Sequence, residues 1–520
     1  MQPTKKLALC LTTLFAFALL LPAQEKDSKD AKDTKPADAA ATADKPKEES
    51  SVTDHSLKLG SQTIPYKATA GTILLKNDKD EPTALLYYTA YTRSDVKDLS
   101  QRSLSFIYNG GPGSASMWLH MGAFGPRRIA SVDVGGGTTP PFKLVDNNES
   151  LLDKTDMVFI DPVGTGFSHA VGKAQDKDFW GVDQDVKSLA QFIQTYVTRN
   201  NRWNSPKFLI GESYGTFRSA ALANYLQSKD GMNFNGLVLI SNVLDLGTLS
   251  FSTGVDTSYI LYLPSYAATA WHYDLIKDRP ANFDVFLQEA RHFALTDYAH
   301  VLMKGRNLSA AEKADAAKRI SHFTGLSEDY LLKANLRVTL PQYMQELQRS
   351  RGLVTGRLDS RYTGYISDLL SENGEYDPQS AYITGPYAAA INSYLREDLK
   401  FGQDKVYHKS APAFGSWDWN HASDGNQTGF PGAPNVEGDL VAALIFNPHL
   451  QVEIENGLFD MATPFFGTEY TVDHLGLPEK LQGNIRLKYY NAGHMMYVHD
   501  EDRVQLKNNI AAFLDSAISK

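Results

Sequence analysis

Residues 211–215 read Gly-Glu-Ser-Tyr-Gly, and the interpretation of the whole chain starts from this stretch. Three apolar residues, 208–210, precede it, and the residues that follow, 216–223, have the composition of a helix. When a strand turns sharply into a helix through Gly-x-Ser-x-Gly, the two glycines permit close packing and the serine hydroxyl is exposed. The pentapeptide alone also occurs in ordinary turns, but its flanks favour a nucleophilic role for Ser213.

Apolar segments around the pentapeptide predict a sheet. Residues 104–108, 157–160 and 237–240 have the character of short strands, and residues 183–197 have the apolar spacing of an amphipathic helix. Continuous apolar strands that alternate with amphipathic helices are typical of a parallel sheet covered on both faces. The predicted fold class is therefore α/β, with the mostly parallel central sheet of an α/β-hydrolase.

The alternation of strands and helices breaks between about residues 250 and 440, where helical signals dominate. Ser309 and Glu312 have the spacing of a capping box at a helix start. Pro341 interrupts a further helical stretch at 330–349. We interpret residues 250–440 as a helical insertion, or cap.

Strand signals return after the insertion. Residues 450–455 and 485–490 read as strands, and residues 504–518 as the C-terminal helix. We interpret residues 54–249 and 441–520 as the two parts of one hydrolase domain. The alternative is two independent domains in series.

The first residues have the features of a secretory signal peptide. Lys5 and Lys6 precede a nearly continuous apolar run at 7–21, and Leu-Pro-Ala offers a cleavage site after Ala23. The alternative is a membrane anchor, but this run is shorter than the roughly 20 residues that a spanning helix needs. We expect residues 1–23 to be removed, which predicts a secreted or periplasmic protein without stable membrane association.

The segment after the signal peptide is predicted to be a disordered tether. Residues 24–53 are rich in Lys, Asp, Ala, Glu and Pro and contain no aromatic residue. Cys10 is the single cysteine of the chain and lies in the predicted signal peptide. A cleaved chain would therefore hold no disulfide and use no cysteine chemistry.

Composition and charge exclude some classes of protein. The chain has 520 residues, of which 42% are hydrophobic and 21% are charged, as in a globular protein with a large core. Its formal net charge of −9 provides no basic surface for nucleic acid. The sequence contains no metal-ligand cluster and no nucleotide-binding motif, so we expect no metal and no cofactor.

A nucleophilic serine needs a base and a group that orients the base. In α/β-hydrolases these residues follow the nucleophile in the order Ser, Asp, His. Asp460 lies in a loop just after one strand of the second part, and His494 lies in the loop after the next strand. Asp460 could instead be a turn former, with Asp473 as its rival, and His494 could be a surface histidine. Order and position favour Asp460 and His494.

A glycine-rich turn follows the strand at 104–108. Residues 109–114 read Asn-Gly-Gly-Pro-Gly-Ser, and such a turn can direct a backbone N–H at a developing oxyanion. The alternative is an ordinary tight turn. A phosphate-binding loop is disfavoured because no Gly-Lys-Ser/Thr follows.

Taken together, five motifs that occur in order resemble the serine carboxypeptidase family, from about residue 70 onward. The matching segments are Asn-Gly-Gly-Pro-Gly at 109–113, Asp-Pro-Val-Gly-Thr-Gly-Phe-Ser at 161–168, Gly-Glu-Ser-Tyr-Gly at 211–215, Gly-x-x-Asp-x-x-x-Pro at 457–464 and Gly-His at 493–494.

The resemblance implies a catalytic triad, an oxyanion hole made of backbone N–H groups, and a site for the terminal carboxylate of a peptide substrate. The residues in these roles would be Ser213, Asp460 and His494 for the triad, Gly111 and Tyr214 for the oxyanion hole, and Asn109 and Glu212 for the carboxylate. Glu212 would have to be protonated, because two anions in contact repel each other.

Three positions depart from the family pattern. Family members usually carry Trp two residues before the Asn of the glycine turn, where this chain has Ile107. A glutamate usually precedes the next Gly-Pro motif, at a place that Ala123 occupies here. The family's cysteine after Gly-Pro-Gly is Ser114. Part of the carboxylate-binding network is therefore missing.

These observations favour a serine carboxypeptidase that removes C-terminal residues from peptides through an acyl-enzyme intermediate. An alternative is an esterase or acyltransferase that uses the same triad without recognising a terminal carboxylate. A third hypothesis, a catalytically silent binding protein, is disfavoured because each triad position has a competent residue.

Overall fold

A ten-stranded mixed sheet runs through the centre of the structure. The computed structural model describes residues 46–130, 139–374, 376–421 and 433–519. The described ranges contain fourteen strands, ten of them in this sheet. They are β1 (Ser50–Leu59), β2 (Gln62–Lys76), β3 (Pro82–Arg93), β4 (Ser103–Tyr108), β5 (Arg127–Ile129), β6 (Leu144–Asp146), β7 (Thr155–Ile160), β8 (His169–Ala170), β9 (Lys207–Glu212), β10 (Gly236–Ile240), β11 (Leu353–Thr355), β12 (Thr363–Tyr365), β13 (Gln451–Gly457) and β14 (Ile485–Tyr490).

The order of strands in the large sheet is β1-β2-β3-β7-β4-β9-β10-β13-β14, and β8 pairs with β3. Strands β1 to β3 are antiparallel to their neighbours, whereas β7, β4, β9, β10, β13 and β14 run parallel to one another. The predicted mostly parallel sheet is confirmed. Two small antiparallel pairs, β5-β6 and β11-β12, lie outside it.

Thirteen α-helices are present in the described ranges. They are α1 (Val182–Arg199), α2 (Tyr214–Asp230), α3 (Thr257–His272), α4 (Phe283–Phe293), α5 (Ala299–Lys304), α6 (Ala310–Thr324), α7 (Glu328–Lys333), α8 (Leu340–Glu346), α9 (Pro378–Ser393), α10 (Glu437–Phe446), α11 (Phe465–His474), α12 (Glu479–Gln482) and α13 (Asp500–Ile518). None of these helices is long and apolar enough to cross a membrane.

The central strands are apolar throughout because both of their faces are buried. In β9, Ile210 packs into the core on one side of the sheet and Leu209 into the core on the other side. Helix α1 covers the second of these faces through Leu189, and α13 covers the first through Phe513. Alternate side chains of one strand therefore contact opposite helical layers.

The predicted insertion contains helices α3 to α9 and the short β11-β12 hairpin. The capping box of Ser309 and Glu312 at the start of α6 is confirmed, and Pro341 lies in the first turn of α8. The helices enclose a third apolar core, which also takes in Phe459 and Met461 from the loop after β13. The insertion thus packs directly around Asp460, which lies between those two residues.

The predicted signal peptide at 1–23 and the tether as far as residue 45 lie outside the described residues. The end of the predicted tether was wrong, because residues 50–53 are part of β1, where Ser50 pairs with Gly71 and Val52 with Thr69. Most side chains of β1 are exposed or half-buried, since it is an edge strand. Its backbone pairing supplies the stability that its polar composition does not suggest.

Candidate active site

Ser213 lies at the turn between the central strand β9 and helix α2. Its backbone has φ 59° and ψ −129°, a strained conformation for a residue with a side chain. Its amide nitrogen donates to the Ile240 carbonyl of the neighbouring strand at 2.9 Å, which holds the turn against the sheet. The serine is half-buried, so part of its surface remains accessible.

Close backbone contacts explain the glycines around the serine. A Cβ on Gly211 would lie 2.2 Å from the Gly215 carbonyl oxygen, so any larger residue would separate the strand from the helix. A Cβ on Gly110 would lie 2.4 Å from the Tyr214 nitrogen, which brings the glycine turn onto the serine turn. The two motifs, about a hundred residues apart in the chain, are therefore in backbone contact.

Asp460 and His494 form a buried pair. The Nδ1 atom of His494 lies 2.7 Å from Oδ2 of Asp460. Oδ1 of Asp460 accepts from the backbone of Ala462 at 2.7 Å and of Thr463 at 3.0 Å, and the Thr463 hydroxyl donates to Oδ2 at 2.8 Å. Because the carboxylate accepts from Nδ1, the imidazole carries its proton there and Nε2 is left for the serine.

Hydrogen bonds to Ile240 at the end of β10 and to the next residue connect Ser213 indirectly to His494. Ser213 is bonded to Ile240, and the hydroxyl of the next residue, Ser241, donates to the His494 carbonyl at 2.6 Å. The Thr463 hydroxyl donates to the Ser241 carbonyl at 3.0 Å. Ser213, His494 and the Asp460 loop thus converge at the carboxyl ends of the parallel strands, as the predicted order of the triad requires.

A segment of the insertion, residues 357–359, contacts the loops that carry Asp460 and His494. The backbone nitrogen of His494 donates to the Leu358 carbonyl at 2.6 Å, and that of Met461 donates to the Arg357 carbonyl at 3.1 Å. The buried carboxylate of Asp359 accepts from the Gly493 nitrogen at 3.0 Å. The role of this segment could not be predicted from the sequence, because nothing local indicates that it contacts loops more than a hundred residues away.

Asp359 is itself held as an anion by Arg361. Nε of Arg361 lies 2.9 Å from Oδ1 and Nη2 lies 2.6 Å from Oδ2. Burial alone would raise the pKa of Asp359, but the hydrogen bonds from Arg361 and His499 lower its pKa far below the ordinary range. The histidine loop is therefore anchored to a permanent buried charge.

The backbone amides of Gly111 and Tyr214 are the two predicted for an oxyanion hole. Gly111 is exposed with φ +108°, a conformation that favours glycine. Tyr214 is the first residue of α2, so its N–H has no partner within the helix and lies at the positive end of the helix dipole. Neither amide donates to another residue in the described ranges.

Glu212, which precedes Ser213, is buried near His494. Burial raises the pKa of Glu212 to about 7, although the charge of His494, the hydrogen bond from Tyr497 and the nearby Asn109 amide oppose this shift. The Tyr497 hydroxyl donates to Oε2 at 2.5 Å. Near neutral pH, Glu212 is therefore partly protonated. Only this protonated form can donate a hydrogen bond to an anion.

The pKa of His494 is affected by the same neighbours. Burial lowers the pKa of this imidazole, but the Asp460 carboxylate and its hydrogen bond, together with Glu212, raise it by more. The net pKa therefore lies above its ordinary value. A histidine that titrates above its ordinary range is a suitable proton acceptor and donor near neutral pH.

Asn109 begins the glycine turn and faces Glu212. Its Oδ1 accepts from the Leu119 nitrogen at 3.0 Å, which fixes the side chain, and its carbonyl accepts from Arg218 at 2.8 Å. The Nδ2 atom is buried and makes no hydrogen bond of ordinary geometry to a described residue, although its dipole helps to lower the pKa of Glu212. This nitrogen is therefore available as a donor to a ligand.

The motif at 161–168 contacts Ser116, two residues after the glycine turn. Oδ1 of Asp161 accepts from the Ser116 nitrogen at 2.7 Å, and Oδ2 accepts from the Tyr407 hydroxyl at 2.8 Å. A Cβ on Gly166 would lie 1.8 Å from this carboxylate, so the position must be glycine. The motif has a structural role. Two of the three departures from the family pattern, Ile107 and Ala123, lie buried in the apolar core.

Comparisons with known proteins agree with this architecture. Residues 60–278 match the family described as serine carboxypeptidase. Serine carboxypeptidase ctsa-3.2 of Caenorhabditis elegans is 25% identical over 215 residues, which are 39% of this chain and 38% of that relative. The chain therefore matches well under two thirds of that relative's length.

A solved structure extends the likeness over most of the fold. The crystal structure of Kex1(delta)p, a prohormone-processing carboxypeptidase from Saccharomyces cerevisiae, is 18% identical with a TM-score of 0.55, covering 87% of this chain and 91% of that chain. This likeness shows the α/β-hydrolase fold, and the family match confirms the resemblance over residues 60–278. That segment contains Ser213, while Asp460 and His494 lie beyond it.

Proposed function

We propose that this protein is a serine-type carboxypeptidase that hydrolyses C-terminal residues from peptides through an acyl-enzyme intermediate. The observation that carries the proposal is the convergence of three groups. Ser213 is half-buried at a strained turn, the His494–Asp460 pair is buried and joined by a 2.7 Å hydrogen bond, and Glu212 is a buried carboxyl beside them.

In the first step, the Ser213 hydroxyl attacks the carbonyl carbon of the last peptide bond. Nε2 of His494 accepts the hydroxyl proton and then transfers it to the departing amine. Asp460 keeps the other ring nitrogen protonated and stabilises the imidazolium that forms. The negative charge that develops on the carbonyl oxygen is stabilised by the amides of Gly111 and Tyr214 and by the dipole of α2.

In the second step, His494 activates a water molecule that attacks the acyl-serine ester. The same proton path then runs in reverse, and Ser213 is regenerated when the shortened peptide leaves. No group outside the triad and the oxyanion hole is required for the proton transfers.

Specificity for a free C-terminus is assigned to Glu212 and Asn109. Protonated Glu212 can donate to a carboxylate oxygen, and Asn109 Nδ2 supplies a second donor that has no hydrogen-bond partner among the described residues. A burial-raised pKa favours the protonated form, which avoids repulsion between two anions.

The proposal is tested by comparing three substrates with the same blocked dipeptide. One has a free C-terminal acid, one a C-terminal amide and one a C-terminal ester. Preferential release from the free acid, with KM for this substrate rising as the pH increases through neutrality, supports the carboxypeptidase. Cleavage of the ester with no turnover of the acid contradicts it.

Two substitutions favour a second candidate function. Ile107 and Ala123 stand where the family resemblance leads one to expect Trp and Glu, so part of the carboxylate site is missing. With the triad intact, this combination suits an esterase or acyltransferase that needs no terminal carboxylate. Equal kcat/KM for ester and acid at low pH would favour this candidate.

The place of action is proposed to be outside the cytoplasm, in the periplasm or the medium. The basic start, the apolar run at 7–21 and the small residues at 21–23 support export with cleavage after Ala23. The expected substrates are peptides in that compartment.

A further inference from the structure

Glu212 is bonded unequally at its two carboxyl oxygens. Oε2 accepts from the Tyr497 hydroxyl at 2.5 Å, and both side chains are buried, Tyr497 with 1% of its surface exposed. No hydrogen bond of ordinary geometry from a described residue reaches Oε1. The two oxygens therefore have different capacities to bind a ligand.

Tyr497 is held in this position by its backbone and its ring. It lies in a short 3₁₀ turn, Met496–Val498, directly after the catalytic histidine loop. A Cβ on Gly122 would lie 2.8 Å from Cδ2 of the Tyr497 ring, so the ring fills the space that a larger residue would need. Gly122 precedes Ala123, a residue that departs from the family pattern, so the Tyr497 ring packs next to that position.

The Tyr497 hydroxyl keeps its proton at physiological pH. Burial, and then the nearby charge of Glu212, raise the pKa of Tyr497 well above its ordinary value. The phenol therefore remains protonated, and while its proton points at Oε2 that oxygen acts as an acceptor. The proton that Glu212 gains on titration is then directed to Oε1.

We propose that Tyr497 is a positioning residue for the terminal carboxylate of the substrate: its hydroxyl occupies Oε2 of Glu212 and leaves Oε1, with its proton, to face the ligand. This inference rests on the proposed carboxypeptidase function and adds to it the residue that orients Glu212. Tyr497 does not touch the reacting atoms and acts through Glu212 alone.

The titratable groups near Glu212 change its pKa in opposite directions. In the described ranges the titratable neighbours are His494, Asp460, Tyr497 and Tyr387. The positive charge of His494 lowers the pKa of Glu212, as the Tyr497 hydrogen bond does, and the negative charge of Asp460 raises it. Removing the Tyr497 hydroxyl should therefore raise the pKa of Glu212 while leaving the triad charges unchanged.

Tyr497→Phe has two expected effects on the hydrolysis of a blocked dipeptide acid. At acidic pH, KM should rise about 3- to 10-fold, because the proton of Glu212 is no longer directed to Oε1. The pH at which KM begins to climb should move upward by about one unit, because the ionised form has lost a donor. The kcat for this substrate and kcat/KM for the matched ester should stay unchanged.

Tyr490→Phe is the matched control. The buried Tyr490 hydroxyl donates to Oε2 of buried Glu455 at 2.7 Å, the same chemistry in a different part of the sheet. This variant should lose thermal stability comparable to Tyr497→Phe, and its KM profile for peptide acids should match that of the wild type. When Tyr497→Phe is added to Glu212→Gln, the pH at which KM begins to rise should not move upward, since the amide does not titrate.

The outcomes separate the inference from the proposed function. If the wild type cleaves peptide acids and Tyr497→Phe keeps the wild-type KM profile, the positioning role is wrong and the proposed function stands. A fall in kcat for acid and ester alike, with an unshifted KM profile, means a structural role and also overturns the inference. If the wild type cleaves the ester and not the acid, the proposed function itself fails, and the inference fails with it.

Discussion

Asp359→Asn tests whether the insertion positions His494, the proposed catalytic base. In the wild type, the carboxylate of Asp359 binds Arg361 through two oxygens, at 2.9 and 2.6 Å, and accepts from the Gly493 nitrogen at 3.0 Å. Asparagine keeps the size of the side chain but replaces one acceptor oxygen with an NH₂ group. That group faces N–H donors, and the charge of Arg361 is left without its partner.

The expected loss of folding stability follows from the burial of this ion pair. The Asp359 side chain is 0% exposed and that of Arg361 is 13% exposed, so little solvent compensates the guanidinium. Breaking a buried ion pair costs about 3–5 kcal/mol, and the small exposure of Arg361 suggests the lower end, ~3 kcal/mol. Because Gly493 precedes His494, we also expect kcat for an ester substrate to fall about 10-fold.

Asp256→Asn is the matched control for this prediction. Asp256 binds Arg337 with the same two-oxygen geometry, at 2.7 and 2.8 Å, and also lies in the insertion. Its side chain and that of Arg337 are 25% and 23% exposed, and neither contacts the triad loops. Partial exposure limits the expected loss to about 1 kcal/mol, with no change in kcat.

The assay is equilibrium unfolding in urea, followed by fluorescence, together with ester turnover. Because the folded pKa of Asp359 is depressed, its stabilisation is present above the unfolded pKa and is lost as pH falls through the folded pKa. The difference between wild type and Asp359→Asn should therefore narrow below about pH 4. Equal losses of stability in Asp359→Asn and Asp256→Asn, with unchanged turnover in both, would refute the reasoning.

Four further predictions concern Ser213, Glu212, the glycine turn at Gly110 and the predicted signal peptide. Ser213→Ala should abolish labelling by a fluorophosphonate probe and reduce turnover by several orders of magnitude; equal labelling of both proteins would exclude Ser213 as nucleophile. Glu212→Gln should keep KM for peptide acids nearly constant with pH, whereas in the wild type KM should rise as Glu212 ionises around its pKa of about 7. Gly110→Ala should lower kcat about 100-fold, because the new methyl group displaces the Tyr214 amide from the oxyanion hole; a kcat within 2-fold of wild type would contradict this. Intact-mass measurement of the exported protein should show that residues 1–23 are gone, and their retention in the active form contradicts the signal-peptide prediction.

Much of the site could be predicted because its signals are local. The Gly-x-Ser-x-Gly turn identifies Ser213 from a few neighbouring residues, and loops that follow apolar strands indicate Asp460 and His494. In a parallel sheet the carboxyl ends of the strands lie at one edge, so residues in these loops converge even when they are far apart in the chain. Thr463 could have been found in the same way, since it lies three residues after Asp460 and donates to its carboxylate.

The end of the predicted tether shows where composition misleads. Residues 50–53 are polar and were assigned to the tether, yet they form the start of β1. An edge strand buries few side chains, and its stability comes from backbone hydrogen bonds to β2, which composition does not record.

From the sequence, the fold class, the parallel strands on either side of the serine turn and the residue types at that turn could be predicted, because periodicity and turn chemistry depend on near neighbours. The tertiary structure alone decided that Asp359 supports the histidine loop and that Tyr497 occupies one oxygen of Glu212. These contacts join residues 134 and 285 positions apart. Such pairings depend on how the insertion and the helical layers pack around the sheet, and burial in that packing is also what brings the pKa of Glu212 to about 7.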